Sequence, residues 1–361
     1  MTAKSDIRAE ADRLRAAFEA RGAEPVEADI LQPAGALLDL YGEDIRARAF
    51  VTHDPIRGEM MLRPDFTVPL VSRHMAEGRG QARYTYAGEV FRRQEDDPER
   101  ASEYLQVGYE LFNGMDAAEA DAEVFATFAT LLEPLGLRAE MGDIGLLRAA
   151  VAGLNTSDAR KAALLHHLWR PRRFKALIER YAGSGVADAR RAALLDADEP
   201  FDGAKAEIGL RSREEILSRI AALRAERETE PLGAADVAGV DALLAVSGPA
   251  PEALSTLQAL CDRLPSIIGA VDDLARRMDA LDARGVALDR VRFETSHGRT
   301  MLEYYDGFVF GFYAEDRPEL PPVATGGRYD ALTRAMGGGT GIPAVGGAIR
   351  PGLILLLGGR P

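Results

Sequence analysis

The sequence predicts an α+β fold, with strands toward both ends of the chain and a mainly helical stretch between them. Three observations carry this. Strand-like runs and hairpin signals occur before residue 144 and return after residue 286. Residues 145–285 shift to Ala, Leu, Arg, Glu and Asp at helical spacing, broken at Asn155-Thr156-Ser157, Gly183-Ser184-Gly185 and Gly248-Pro249. Strands and helices do not alternate in the βαβ manner, which argues against a doubly wound parallel sheet. The expected organisation is one core domain from residues 1–144 and 286–361, with 145–285 as a mainly helical insertion.

In chain order, Ile7, Ala11, Leu14 and Phe18 recur at i, i+4, i+7 and i+11, predicting an amphipathic helix over 5–21 that stops at Gly22. Val26, Ala28 and Ile30 alternate as in a strand, and 34–41 reads as a short helix. Strands at 50–52 and 60–62 flank Asp-Pro-Ile-Arg-Gly, a hairpin signal. Pro64 ends the second of them, and 67–75 is expected to be helical. Residues 83–112 hold two β-rich runs around a charged loop, an antiparallel hairpin. Strand alternation puts Gln106, Gly108 and Glu110 on one face. The glycine between two polar groups predicts an open polar floor for a small cationic ligand; an ordinary solvated hairpin is the alternative. An alanine-rich helix over 117–135 and a strand at 138–141 follow. After the helical stretch, strands are expected at 291–295, 301–312 and 322–325, before a glycine-rich end that closes on the apolar run 353–357.

The 361 residues are 47% hydrophobic and 28% charged, the composition of an ordinary globular protein with a sizeable core. A net charge of −13 and a pI near 5.0 argue against broad contact with a phosphate backbone, leaving room for a local nucleotide site. The single cysteine, Cys261, excludes an internal disulfide and a cysteine zinc cluster. His53, His74, His166, His167 and His297 form no ligand motif, so no metal is expected. The charged N-terminus lacks the apolar core of a secretory signal, and no run of about 18 apolar residues occurs. A cytoplasmic protein without membrane contact is expected.

Gly339-Thr340-Gly341-Ile342-Pro343-Ala344 superficially fits a dinucleotide fingerprint, but no strand leads into it and Pro343 sits where the helix should start. No phosphate-loop Gly-Lys-Ser/Thr is present, and no cofactor is expected. In Leu62-Arg63-Pro64-Asp65-Phe66-Thr67, a carboxylate and a hydroxyl stand two apart at a helix start, where either serves equally as an N-cap. Tyr304 and Tyr305 in MLEYYDGFVFGFY read as strand residues on opposite faces, with packing as the default role.

Taken together these segments resemble the class II aminoacyl-tRNA synthetases, and within them the histidyl-tRNA synthetase group. The match spans nearly the whole chain outside the helical stretch. Phe91-Arg92 resembles the core of motif 2, which implies that Arg92 meets the ATP α-phosphate. LQVGYELF resembles the following strand, placing Gln106 and Glu110 on a bound amino acid. LRPDFT is similar to the family's LRPEGT, which implies that Asp65 and Thr67 hold the α-amino group. LEYYDGFVF is similar to the histidine-specific LDYYTGTVF, placing Tyr304 and Tyr305 near the imidazole, and Gly326–Asp330 matches GGRYD. The resemblance implies an antiparallel class II sheet flanked by helices.

The departures from the family carry the functional expectation. The arginine that precedes LDYY in active synthetases is replaced by Thr300; Arg299 stands one place away, where a strand would turn it to the other face. Leu353 stands where the ATP-binding arginine of motif 3 belongs, with Arg350 one helical turn earlier and Pro351 suited to a first helical position. Asp29 occupies the place of the usual motif 1 proline. No counterpart of the anticodon-binding domain is expected after motif 3. A synthetase body so altered resembles the ATP phosphoribosyltransferase regulatory subunits, paralogues of histidyl-tRNA synthetase. That resemblance implies a non-catalytic homodimer within a hetero-oligomer. Its partner would be a short-form catalytic subunit for the first step of histidine biosynthesis, its effector L-histidine, and it would bind no tRNA. A truncated ligase that activates an amino acid with ATP is the alternative.

Overall fold

The computed structural model describes residues 3–35, 49–93, 101–112, 114, 116–183, 189–202, 211–299 and 304–358. Helix α1 (Lys4–Glu19) buries Ala11, Leu14 and Phe18, the stripe that its periodicity predicts. The chain then leaves two short strands, β1 (Glu24–Pro25) and β2 (Leu31–Pro33), so the alternation at 26–30 joins strands rather than forming one. The helix expected over 34–41 falls almost wholly outside the described residues. Strands β3 (Val51–Asp54) and β4 (Gly58–Leu62) form the expected hairpin, its turn held by Asp54 Oδ1, which accepts from the backbone N–H groups of Ile56 and Arg57 at 2.8 Å each. With β2 they make a three-stranded antiparallel sheet in the order β2-β4-β3. Helix α2 (Thr67–Glu77) stops at Gly78, whose φ of 61° is the left-handed cap glycine favours.

Strands β5 (Ala82–Phe91) and β6 (Glu103–Phe112) are the long antiparallel hairpin, in register from Ala82 opposite Phe112 to Phe91 opposite Glu103. Helix α3 (Ala117–Leu132) is capped by Asp116 and leads to β7 (Arg138–Asp143). The helical stretch comprises α4 (Ile144–Gly153), α5 (Asp158–His166), α6 (Pro171–Tyr181), α7 (Ala189–Asp196), α8 (Arg213–Glu228), α9 (Ala234–Leu244), α10 (Ala250–Leu260) and α11 (Ile268–Asp282). It also contributes β8 (Ser247–Pro249), which pairs antiparallel with β9 (Val291–Glu294). The chain closes with β10 (Phe308–Tyr313), β11 (Ala324–Arg328), α12 (Asp330–Met336), β12 (Ala344–Ile349) and α13 (Pro351–Leu356).

The large sheet runs β1-β5-β6-β12-β11-β10-β7-β9-β8. Its centre is antiparallel as expected, and the pairs β1–β5 and β7–β9 are parallel. Helices α1 and α3 cover one face. There Phe18 stacks on Tyr109 at 5.2 Å between ring centres, and Phe125 packs against Phe308, Phe310 and Phe312 of β10. Since side chains alternate along β6, putting Tyr109 against the helices puts Gly108 and Glu110 on the other face. Between α3 and the sheet lies a buried ionic layer: Asp121 accepts from Arg277 of α11 at 2.8 Å and from Arg328 of β11 at 2.7 Å, and Arg277 also donates to Asp143 at 2.7 Å. Among the described residues no helix is long and apolar enough to cross a membrane.

Candidate functional site

The node of the second sheet face is Glu110, only 1% exposed. Its Oε1 accepts from Thr67 Oγ1 at 2.9 Å and from Tyr86 OH at 3.2 Å, and its Oε2 accepts from Tyr329 OH at 2.6 Å. The carboxylate thus gathers α2, β5 and the end of β11 around β6. Burial pushes its pKa up to about 7 against the three hydroxyl bonds, and the neighbouring Asp65 charge pushes the same way. Burial likewise drives the Tyr86, Tyr329 and Tyr305 hydroxyls upward, so they remain neutral donors.

A cavity of about 750 Å³ opens beside this node, over β5, β6, β12 and β11. Asp65, Thr67, Arg92, Gln106, Tyr304 and Tyr305 all line it. Glu110 does not: it sits behind the wall and positions residues that do. The open polar floor expected between Gln106 and Glu110 is filled. Tyr86 lies directly opposite Gly108, and its ring crosses that glycine so closely that a β-carbon there would stand 2.0 Å from it. Phe66 stacks on the same ring at 4.2 Å and 10°. Gly346 serves Glu110 in the same way, leaving room for its Oε2.

Asp65 lines the cavity and also accepts from Val68 N–H at 3.3 Å; the N-cap position itself is neither Asp65 nor Thr67 but Phe66, which makes no side-chain cap bond. Arg92 is held at the wall by its Nε, which donates to the Pro64 carbonyl at 2.7 Å. Tyr304 and Tyr305 are not strand residues on opposite faces. They occupy the turn before β10, both buried, with ring centres 4.9 Å apart, and Tyr304 lies 6.0 Å from Tyr329. The Asp-Gly that follows them delays the strand to Phe308. Thr300 lies outside the described residues. Leu353 is on α13 and packs against the core, whereas Arg350, at the N-cap of that helix, lines the cavity and donates from Nη1 to the Pro322 carbonyl at 2.6 Å.

Sequence reasoning missed Tyr86 and Tyr329 as the partners of Glu110, and Glu294, His297 and Pro171 as cavity walls. The signal for Tyr86 was present: it is the large cross-strand residue that a glycine on the same face accommodates. Gly108→Ala should therefore destabilise the fold by about 1–3 kcal/mol through overpacking. Gly248→Ala, at a site with nothing within 4 Å, should stay close to wild type. Urea denaturation of the two variants checks this, and equal midpoints would contradict it.

Residues 3–230 and 210–353 match the protein family described as histidyl-tRNA synthetase. The ATP phosphoribosyltransferase regulatory subunit of Mesorhizobium japonicum is 32% identical over 351 residues, covering 91% of this chain and 92% of that one. The protein of the same description from Agrobacterium fabrum is 33% identical over 359 residues, covering 91% of each. Among solved structures, an ATP phosphoribosyltransferase regulatory subunit/histidyl-tRNA synthetase from Bacillus halodurans C superposes with a TM-score of 0.67 at 19% identity, covering 98% of this chain and 79% of that one, a likeness of fold. A histidine–tRNA ligase subunit from Alicyclobacillus acidocaldarius gives 0.59 at 26% identity, covering 98% and 92%.

Proposed function

The chain belongs to the histidyl-tRNA synthetase family and, within it, to the ATP phosphoribosyltransferase regulatory subunits, and from that premise we propose that it is a non-catalytic partner of a short-form ATP phosphoribosyltransferase catalytic subunit. In this reading it acts as a homodimer within the hetero-oligomer, is required for the partner's activity in the first step of histidine biosynthesis, and carries the inhibitory response to L-histidine. It neither forms an adenylate nor charges tRNA.

One observation carries the reading. The residues placed on the amino acid by family resemblance, Asp65, Thr67, Gln106, Tyr304 and Tyr305, converge on one cavity, while Leu353, at the position of a phosphate-gripping arginine, is packed against the core. An amino-acid pocket is kept and part of the adenylation machinery is gone. Asp65 supplies the carboxylate for an ammonium or imidazolium, and Thr67, Gln106 and the paired tyrosines supply hydroxyl and amide partners. Histidine bound here controls the partner only to the extent that it binds one quaternary state more tightly than another. A net charge of −13 offers tRNA little to hold.

Co-purification with a short catalytic subunit tests the assignment, followed by assay of ATP and phosphoribosyl pyrophosphate condensation with and without histidine. Activity that requires this chain and falls with histidine is expected; a catalytic subunit equally active alone would overturn it. Arg92 and Arg350 both line the cavity, the observation that favours the ligase as a second reading. Histidine-dependent exchange of labelled pyrophosphate into ATP separates the two, and only background exchange is expected.

A further inference from the structure

The cavity has another wall, the turn that follows β9. Glu294, Ser296, His297, Gly298 and Arg299 line it, together with Pro171 at the start of α6. We propose that His297 and Arg299 form an anion-binding subsite of this cavity, built for a carboxylate or a phosphoryl group. On the sequence register the family's arginine position falls on Thr300, outside the described residues; Arg299 is braced from the helical stretch, and His297 from β7 of the sheet.

Arg299 is 4% exposed. Its Nε donates to the Leu168 carbonyl at 2.8 Å, and its guanidinium carbon lies 4.8 Å from the centre of the Phe174 ring. Those contacts fix the side chain without neutralising it. Its Nη2 is buried and has no hydrogen-bond partner among the described residues. The other deeply buried arginines of the ionic layer, Arg277 and Arg328, each meet carboxylates. Arg299 meets none among the described residues, and burial alone holds its pKa below the usual arginine value. A buried guanidinium with a spare N–H and no counter-charge is costly, and an anion arriving from the cavity recovers that cost.

His297 offers a second nitrogen two residues away. Its Nδ1 lies 3.4 Å from Glu140 Oε2, and its Nε2 is buried with no partner among the described residues. As an imidazolium the ring donates to Glu140 through Nδ1 and to the anion through Nε2, with Glu140 balancing its charge. Glu294 is the acidic member of this wall, and Ser296 Oγ donates to it. Arg92 and Arg350 elsewhere on the wall keep the cavity favourable for an anion.

The two sources of such an anion are the carboxylate of an amino acid and the phosphate of a nucleotide or free phosphate. The first rests on the amino-acid reading of the cavity given above; the second does not. Isothermal titration of the full chain and of Arg299→Gln uses L-histidine, L-histidinol, which keeps the amine and imidazole but lacks the carboxylate, and inorganic phosphate. Loss of a charge-assisted bond is expected to cost about tenfold or more in affinity. If the carboxylate occupies the subsite, the preference of the unmutated chain for histidine over histidinol falls by that factor in Arg299→Gln. If a phosphoryl group does, phosphate affinity falls instead. Arg299→Lys, which keeps the charge, should retain part of either preference. Phosphate binding that depends on Arg299 in a chain that binds neither histidine nor histidinol would support the subsite and remove the amino-acid reading. The proposal is overturned if Arg299→Gln changes neither quantity. Should that variant fail to fold, equal affinity of the unmutated chain for histidine and histidinol together with no phosphate binding overturns it as well.

Discussion

Replacing Asp121 by alanine should lower the unfolding free energy by about 3–5 kcal/mol, the range for removing one member of a buried charge network. Asp121 is fully buried and stands between two arginines that are 5% and 7% exposed. It accepts from Arg277 Nε at 2.8 Å, and from Arg328 Nε at 3.0 Å and Nη2 at 2.7 Å. Without it, Arg328 keeps Asp330 and Arg277 keeps Asp143, but two guanidiniums face each other with the intervening charge gone. The intact network need not be net stabilising against a hydrophobic substitute, because desolvation of the ions offsets much of their attraction. The prediction therefore concerns breaking the set, and it has a signature: adding Arg277→Met to Asp121→Ala leaves the buried Asp143 without its arginine and should lower stability further rather than recover it. Guanidinium denaturation of the single and double variants measures both, with a midpoint shift and an unchanged slope. An Asp121→Ala loss under about 1 kcal/mol would mean that solvent or a rearranged side chain reaches this layer.

That layer was invisible in the sequence, and the reason is physical. Asp121, Arg277 and Arg328 are far apart in the chain, and each reads locally as a solvated helix or strand charge. What was legible was local. The stripe on α1, the Asp-Pro turn before β4 and the β5–β6 hairpin follow from period and turn chemistry alone. The 26–30 alternation failed because a period-2 pattern without a pairing partner is not a strand. The cavity residues Asp65, Thr67 and Arg92 were legible only through their resemblance to family motifs, since each has an ordinary local explanation as a cap or a solvated residue, whereas strand alternation alone already pointed to Gln106. The filled floor above Gly108 could be seen only with the register known, which sets Tyr86 across from the glycine. Tyr304 and Tyr305 were misplaced into a strand because an aromatic pair scores as β, while Asp306 and Gly307 after it mark a turn.

Glu110 should make this protein less stable as pH rises through the range that leaves most carboxylates unchanged. The folded chain holds its pKa at about 7, above the ordinary 4.5, chiefly by burial. Between those two values the folded state keeps a proton that the unfolded chain has already released. Stability attached to this group is therefore fully present below about pH 4.5 and declines as pH rises toward 7, by about 3 kcal/mol in all. Asp306, pushed up to about 6 chiefly by its own burial, acts in the same direction, but it is common to wild type and variant and cancels in their difference. Glu110→Gln removes the titration. Its amide keeps one oxygen for the hydroxyls of Thr67, Tyr86 and Tyr329, and one of them must rotate to accept from the new NH₂. The wild-type advantage over Glu110→Gln should thus shrink by about 3 kcal/mol between pH 4.5 and 8, whatever its size at the acidic end. Glu110→Ala, which strands three hydroxyls at once, should be destabilised across the whole range. A cationic ligand beside Asp65 should draw the Glu110 pKa back down, so that binding near pH 7 releases a proton. Titration in buffers of different ionisation enthalpy detects that proton, and Glu110→Gln should release none from this position. Denaturation curves for wild type and Glu110→Gln that run parallel from pH 4.5 to 8 would show that the carboxylate is ionised throughout, with the three hydroxyl bonds outweighing its burial.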